Sequence, residues 1–191
     1  MPVTNVLLAG VGGQGVVLAS ELLALAAIAA GHDAKQGEFH GVAQRGGSVF
    51  SHVRFGDRVF SPTTRQGEVH FLLALEKLEA LRYAHFVRAG GDILVNDHEI
   101  EPIRTMDERP YPKDAVAFLK NKGFAVKVLK ATELAVELGN HRAANAVMLG
   151  ALAEQLEIPG AVWVNVLNSR IPERLLELNR KAFEIGRKKG H

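Results

Sequence analysis

A glycine-rich turn between a short apolar run and a helical pattern constrains the fold of this chain more than any other stretch. Residues 5–9 (NVLLA) are typical of a short buried strand, and residues 14–30 predict a helix that is apolar nearly all round. Four glycines lie at the junction, at Gly10, Gly12, Gly13 and Gly15. A strand, a glycine turn and a helix in this order are typical of the first unit of an α/β fold.

Strands and helices continue to alternate along most of the remaining sequence. The strands are predicted at 48–55, 58–61, 69–75, 93–96 and 125–129, with the first two forming a β-hairpin. The helices are predicted at 76–89, 112–122, 132–138, 142–156 and 173–188. This order predicts a three-layer α/β/α fold with a mainly parallel, Rossmann-like sheet and a β-hairpin insertion.

Glycine and proline mark the predicted boundaries. Gly31 is expected to end the first helix, Gly90-Gly91 to stop the helix of 76–89, and Pro172 to open the last helix from its first position. Residues 31–47 are polar and punctuated by glycine, which predicts a long functional loop. The run 162–166 (VWVNV) fits either a strand or a helix.

Size and composition narrow the class of protein. The 191 residues suffice for one sizeable domain, predicted to span 1–191, and a net charge of +2 gives no reason to expect nucleic acid. The chain contains no cysteine, so it cannot build a disulfide or a cysteine-ligated iron–sulfur cluster. The longest apolar run, 22–30, is far shorter than the ~20 residues of a membrane helix. We therefore expect a cytoplasmic protein without a membrane partner.

The glycine turn allows three interpretations. Its free N–H groups and the positive end of the helix dipole can hold a phosphate. A nicotinamide dinucleotide also requires an acidic residue after the second strand, and the nearest carboxylates, Asp33 and Glu38, follow no clear strand. The other interpretations are a different phosphate-bearing ligand at a subunit junction and glycines that only permit close packing.

A second polar, glycine-rich stretch follows at residues 40–57. The guanidinium of Arg45 lies beside two glycines and suits a phosphate or carboxylate, while holding the loop in place is the structural alternative. The candidate contacts to substrate or partner are His40, Gln44, Arg45, Gly46 and Gly47. The eight histidines show no metal-ligand spacing, and the sequence contains no complete catalytic set. We therefore assign no catalytic residue and no metal.

Four motifs together carry a resemblance over residues 5–188. In chain order they are GVGGQGVVLASELLALAA, HGVAQRGGSVFSHVRFGD, SPTTRQGEVHFLLALEKLEALR and GNHRAANAVMLGAL. They resemble the gamma-type domain of the 2-oxoacid:ferredoxin oxidoreductases. Ala43-Gln44 before Arg45 resembles the indolepyruvate type of that family, since subunits for pyruvate and 2-oxoglutarate tend to carry Glu-Met there.

This resemblance implies a subunit of a complex that oxidatively decarboxylates arylpyruvates with CoA to aryl-acetyl-CoA, CO2 and reduced ferredoxin. Thiamine diphosphate and the [4Fe–4S] clusters would belong to a large alpha subunit, without which this chain is expected to be inactive. The chain would bind no cofactor alone, and its partner face is compatible with a homodimer when isolated. The turn formed by Gly10, Gly12, Gly13, Gln14 and Gly15 would help to shape the CoA site.

Three alternatives stay open. The chain can serve a complex for another 2-oxoacid, such as pyruvate, 2-oxoglutarate or a branched-chain acid. It can be a scaffold for the alpha subunit without a role in turnover. It can also be a stand-alone NAD(P)-binding oxidoreductase, which requires binding of the nucleotide by the isolated chain.

Overall fold

A six-stranded mixed sheet forms the centre of the computed structural model, which describes residues 2–41, 46–101 and 111–190. Its strands are β1 (Thr4–Val11), β2 (Asp33–His40), β3 (Ser48–Gly56), β4 (Val69–Ala74), β5 (Val87–Asn96) and β6 (Ala125–Leu129). They lie in the order β2-β3-β1-β4-β5-β6. The neighbours β1, β4, β5 and β6 are parallel, whereas β3 runs antiparallel to both β1 and β2. The carboxyl ends of β1 and β4 therefore lie at the same edge of the sheet.

Helices cover both faces of the sheet. They are α1 (Val16–Ala29), α2 (Lys77–Tyr83), α3 (Ala115–Asn121), α4 (Ala131–Glu137), α5 (Ala144–Ala153), α6 (Gly160–Arg170) and α7 (Glu173–Lys189). Side chains alternate along a strand, so Val6 and Leu8 pack with α1 and α4–α7, whereas Leu7 packs with α2 and α3. We call these the α1 face and the α2 face. The predicted three-layer α/β/α class is confirmed.

The hairpin partner of β3 differs from the prediction. Residues 58–61 form no strand; β2, from the stretch predicted to be a loop, pairs with β3 instead. β2 is an outer strand with half-buried and exposed residues, so it shows no hydrophobic alternation in the sequence. Side chains hold the 58–61 segment: Asp33 Oδ2 accepts from Val59 N at 2.7 Å, and Arg54 donates to Ser61 O at 2.9 Å.

The predicted helix over 76–89 is too long. α2 ends at Tyr83, a 3-10 turn spans Ala84–Phe86, and β5 begins at Val87. The pair Gly90-Gly91 lies inside β5, where the register against β4 shifts. A Cβ at Gly91 would lie 3.0 Å from the carbonyl oxygen of Val69. These glycines therefore mark an irregularity where two strands approach closely, not the end of a helix.

Other boundaries are resolved by the structure. Gly31 has a φ of +92° directly after α1, which confirms its predicted role at the end of that helix. The ambiguous run 162–166 lies within α6 and is helical. Pro172 is the N-cap of α7 and not its first helical residue, because its ψ of 140° is extended.

Candidate functional site

The two glycine-rich segments predicted to be functional meet at one edge of the sheet. β1 ends where β3 begins, with Val11 opposite Ser48, and the first turn and the loop after β2 continue from that point. Gly12 N donates to Gly47 O at 2.8 Å, and Gly46 N donates to Gly12 O at 3.4 Å. The structure therefore brings the candidate residues Gly12, Gly46 and Gly47 into direct contact. Two further candidates, Gln44 and Arg45, lie outside the described residues.

The glycines of the turn have different structural roles. Gly13 and Gly15 adopt φ values of +104° and +83°, which L side chains rarely accept. A Cβ at Gly13 would meet open space, whereas one at Gly15 would lie 2.2 Å from the amide nitrogen of Asn145. Gly10 has an ordinary backbone, but a Cβ there would lie 2.8 Å from Val16. Close packing thus accounts for the absence of a side chain at Gly10, and the left-handed backbone accounts for it at Gly13. At Gly15 both reasons apply.

Gln14 fastens the turn to the sheet. Its side-chain oxygen accepts from Val11 N at 2.7 Å, and its amide donates to Leu75 O, just beyond β4, at 3.0 Å. The side chain of this candidate residue is therefore engaged with the protein's own backbone. Its contribution to the site is to shape the turn.

The N-terminus of α1 begins directly at this turn. Its N-cap, Gly15, offers no side chain, and the first turn of the helix contains no acidic residue. The first N–H groups of a helix have no acceptor within the helix, and the helix dipole is positive there. This end of α1 is therefore suited to an anion.

A groove of about 560 Å³ opens beside the turn, between α1 and the strands β2 and β3. Val11, Val16 and Val49 contribute apolar surface, and the glycine turn closes one end. Its polar side chains are Glu21, Glu38 and His40. The groove thus combines apolar surface from the valines, a glycine turn that suits an anion, and the carboxylates of Glu21 and Glu38.

The polar side chains of the groove have partners within the chain. Glu21 forms an ion pair with Arg170 of α6, which neutralises its charge. Glu38 accepts from Gln36 at 3.2 Å and remains an acidic group on the wall. The candidate residue His40 is exposed, and its Nδ1 lies 3.1 Å from the carbonyl oxygen of Gly41.

The sheet topology argues against the nicotinamide interpretation. In a dinucleotide fold the strand that carries the ribose-binding acid runs parallel to the first strand and lies beside it. Here that position is taken by the antiparallel β3, whose residue at this edge is Ser48. Glu38 lies one strand further out, about 10 Å from β1 at the usual strand spacing. Among the described residues, the strand beside the turn therefore carries no acid of the kind that such a cofactor requires.

Comparisons with known proteins identify the family. The family model for pyruvate ferredoxin/flavodoxin oxidoreductase matches residues 5–189. The chain belongs to this family. Its six-stranded sheet and its glycine-rich edge are thus those of an oxidoreductase family member, and the predicted resemblance is confirmed.

Individual family members support this assignment. Over 188 residues the chain is 37% identical to indolepyruvate oxidoreductase subunit IorB of Pyrococcus horikoshii, covering 95% of this chain and 93% of that protein. It is 29% identical to 2-oxoglutarate synthase subunit KorC of Methanothermobacter marburgensis, covering 94% and 92%. The crystal structure of a keto/oxoacid ferredoxin oxidoreductase gamma subunit from Geobacter sulfurreducens matches with a TM-score of 0.75 and 27% identity, covering 98% of each chain.

A buried carboxylate lies beneath the glycine edge of this family member, on the α2 face. Ser48, directly after Gly47, donates its hydroxyl hydrogen bond to Glu79 of α2 and lies 2.9 Å from the hydroxyl of Tyr83. Arg82 donates to the other carboxylate oxygen of Glu79 at 3.1 Å. Burial raises the pKa of the Glu79 carboxyl above its ordinary value, while Ser48 and Arg82 oppose that rise.

A second carboxylate, Glu76, is fully buried one turn earlier. It caps α2 by accepting from Glu79 N at 2.9 Å, and it accepts from Ile100 N at 3.2 Å and from the Tyr111 hydroxyl. Burial, together with the hydrogen bond to Glu76, raises the pKa of Tyr111 far above its ordinary value. Glu76 therefore ties two later segments of the chain to the start of α2.

Sequence reasoning missed Ser48, Glu79 and Asn145. Asn145 approaches Gly15 from α5, with its amide 3.4 Å from Gly15 O. The three residues lie within the second, third and fourth of the motifs that carried the resemblance. Their spacing alone gives no chemical signal, because their roles depend on packing between elements distant in sequence.

The described residues form neither a metal centre nor a helix that spans a membrane. Within residues 2–41, 46–101 and 111–190, no group of three or more His, Cys, Asp or Glu side chains is arranged to hold a metal ion. Over the same ranges, no helix has both the length and the apolar character needed to cross a membrane.

Proposed function

We propose that this chain is the non-cluster subunit of an indolepyruvate:ferredoxin oxidoreductase. The complex would oxidatively decarboxylate arylpyruvates with CoA to aryl-acetyl-CoA, CO2 and reduced ferredoxin. The observation that carries the proposal is 37% identity to an indolepyruvate oxidoreductase subunit over nearly the whole length of both chains. The lower identity of 29% to a 2-oxoglutarate synthase subunit favours the aryl substrate over other 2-oxoacids.

The proposed division of labour follows from the amino-acid composition. With no cysteine, the chain lacks the thiolates that hold [4Fe–4S] clusters. Those clusters and thiamine diphosphate would reside in a large alpha subunit, which would also pass electrons to ferredoxin. The chain would act in the cytoplasm and would be inactive without that subunit.

The proposed contribution of this chain is to complete the site where CoA meets the acyl intermediate. The uncapped end of α1, together with Gly13 and Gly15, supports binding of a phosphate group there. Arg45, in the loop before Gly46 and Gly47, would add a positive charge to the same anion.

The charge of the groove supports one orientation of CoA. Glu38 on the far wall repels a phosphate, whereas the apolar surface of Val11, Val16 and Val49 favours an uncharged segment. The phosphates would therefore lie at the glycine turn, with the uncharged pantetheine arm along the groove. His40 at the rim is assigned to contact with substrate or partner.

Co-expression with candidate large subunits tests the proposal. The complex that co-purifies is assayed for 2-oxoacid-dependent dye reduction with indolepyruvate, pyruvate, 2-oxoglutarate and a branched-chain acid. We expect the highest kcat/KM with an arylpyruvate and no dye reduction by the isolated chain. Preference for another 2-oxoacid would assign the chain to a different complex. Dye reduction by the isolated chain would refute the proposal that the clusters and thiamine diphosphate reside in the large subunit.

Arg45→Ala tests the anion site in the assembled complex. Loss of a charge-assisted hydrogen bond is expected to raise the KM for CoA by about tenfold or more. Arg65→Ala is the matched control, because Arg65 is an exposed arginine at the opposite, amino-terminal edge of β4. An unchanged KM in Arg45→Ala would limit Arg45 to a structural role.

A further inference from the structure

Gly46 and Gly47, the two residues before β3, have no side chains that could fix their position. Gly46 and Gly47 contact the first turn only through backbone groups, by the two hydrogen bonds with Gly12. The first side chain after them is Ser48, whose hydroxyl points to Glu79 on the α2 face. The position of Gly46 and Gly47 therefore depends on what holds Ser48.

Burial of the Glu79 carboxylate at this point is unfavourable. The residue is only 3% exposed, and burying a carboxylate costs free energy that an apolar side chain would not require. Its oxygens are satisfied by Ser48 on one side and by Arg82 on the other. The Ser48 hydroxyl is also within hydrogen-bond distance of Tyr83, so the serine has two partners on the α2 face.

A continuous series of contacts thus leads from α2 to the start of α1. Glu79 accepts from Ser48, Ser48 follows Gly47, and Gly47 O accepts from Gly12 N at 2.8 Å. The start of α2 is itself held by Glu76, which accepts from Glu79 N. A change at Glu79 is therefore transmitted to the glycine edge without contact between Glu79 and any ligand.

We propose that Glu79 is a positioning residue of the anion site, which acts through Ser48 to hold Gly46 and Gly47 against Gly12. This inference rests on the proposed function, since the anion is the CoA phosphate of that proposal. Glu79 does not touch the substrate. Its role is to fix the backbone of Gly12, Gly46 and Gly47 at this edge before CoA binds.

The test compares Glu79→Gln and Ser48→Ala in the complex with the large subunit. If the glutamine oxygen accepts from Arg82, its amide must donate to Ser48, so a weaker neutral hydrogen bond of opposite direction replaces the charge-assisted bond from the serine. Both variants are expected to raise the KM for CoA about fivefold while kcat stays within about twofold of wild type. Ser48→Thr keeps the hydroxyl and is expected to retain the wild-type KM.

Glu154→Gln is the matched control. Glu154 is a largely buried carboxylate paired with an arginine, Arg187, but it lies at the end of α5, on the α1 face. We expect this variant to lose stability without a change in the KM for CoA. An equal rise in KM would overturn the proposal, because it would show a general effect of destabilisation.

Hydrogen exchange of the isolated chain gives a second readout that does not require activity. Glu79→Gln is expected to accelerate exchange of the backbone amides of Gly12, Gly46 and Gly47 relative to wild type. Faster exchange with an unchanged KM would overturn the positioning role, and so would a raised KM with unchanged exchange. If Arg45→Ala raises the KM but Glu79→Gln does not, the positioning role alone fails. If the complex does not use CoA with any arylpyruvate, the proposed function itself fails.

Discussion

Replacement of Gly15 by alanine tests the claim that the first turn is fixed by both backbone shape and close packing. Gly15 has a φ of +83°, and an added Cβ would lie 2.2 Å from the amide nitrogen of Asn145. Asn145 cannot move away freely, because its oxygen accepts from Ala146 N at 2.8 Å. The substitution therefore meets two separate penalties.

The two penalties can be estimated separately. A left-handed conformation costs an L residue about 1–2 kcal/mol. Insertion of a methyl group into a closely packed contact costs a further 1–3 kcal/mol, roughly, through displaced side chains and backbone. We expect Gly15→Ala to reduce the free energy of unfolding by about 3 kcal/mol.

Three matched glycine substitutions separate these penalties in urea unfolding of the isolated chain. Gly13→Ala and Gly123→Ala have positive φ but would meet open space, so each is expected to lose about 1–2 kcal/mol. Gly10→Ala has an ordinary φ and a 2.8 Å contact with Val16, so only the packing penalty applies. If Gly15→Ala loses no more than Gly123→Ala, the close approach of Asn145 does not stabilise the turn and the reasoning is refuted.

Two further predictions follow from the same contacts and from burial of a histidine. Asn145→Ala is expected to relieve the clash with a Cβ at position 15. The double variant with Gly15→Ala should therefore be about 1 kcal/mol more stable than the sum of the two single losses predicts. Additive losses would contradict a direct contact between the two residues. Burial of His52, with a smaller effect from Arg54, lowers the pKa of its imidazole from 6.5 to about 4, so the native state favours the neutral form. The unfolded state then binds more protons below pH 6.5, and up to about 3 kcal/mol of stability is lost as the pH falls to 4. His52→Phe is expected to reduce this loss in urea unfolding between pH 7.5 and 4.5, whereas an unchanged pH dependence would exclude His52 as its source.

The elements that the sequence predicts well are those with a strong local pattern. The run 5–9 lies within β1 and the pattern 14–30 contains α1, since an apolar run, a glycine turn and a buried helix leave few other arrangements. The strand at 125–129 coincides with β6. These assignments depend on neighbours in sequence, which is the information that a single chain provides.

The errors occur where an element depends on a distant partner. β2 is polar because it lies at the outer position of the sheet, and only pairing with β3 makes it a strand. Gly90-Gly91 has the sequence signature of a helix end, yet it serves an irregular strand that approaches β4. The run 162–166 favours a strand by composition, but its packing in the helical layer of the α1 face makes it part of α6.

The candidate site divides in the same way. The sequence marks both glycine segments as functional, and Gly12 does contact Gly46 and Gly47, but the strand that brings the second segment to this edge, β2, lies in the stretch that the sequence predicts to be a loop. Glu79 and Asn145 could not be predicted, because each reaches the site from an element more than 30 residues away from its contact. The sequence shows that these residues are polar, but not that they face the glycine edge.

The antiparallel strand β3 explains why this glycine turn is not simply a dinucleotide turn. The hydrogen bonds of Gly12 with Gly46 and Gly47 continue the β1–β3 pairing beyond the last strand pair, Val11 and Ser48. The loop after β2 is therefore joined to the turn by backbone pairing, in the position where a dinucleotide fold would carry a parallel strand and its ribose-binding acid. The same pairing that removes the nicotinamide site brings a second glycine segment, Gly46 and Gly47, beside the turn that precedes α1.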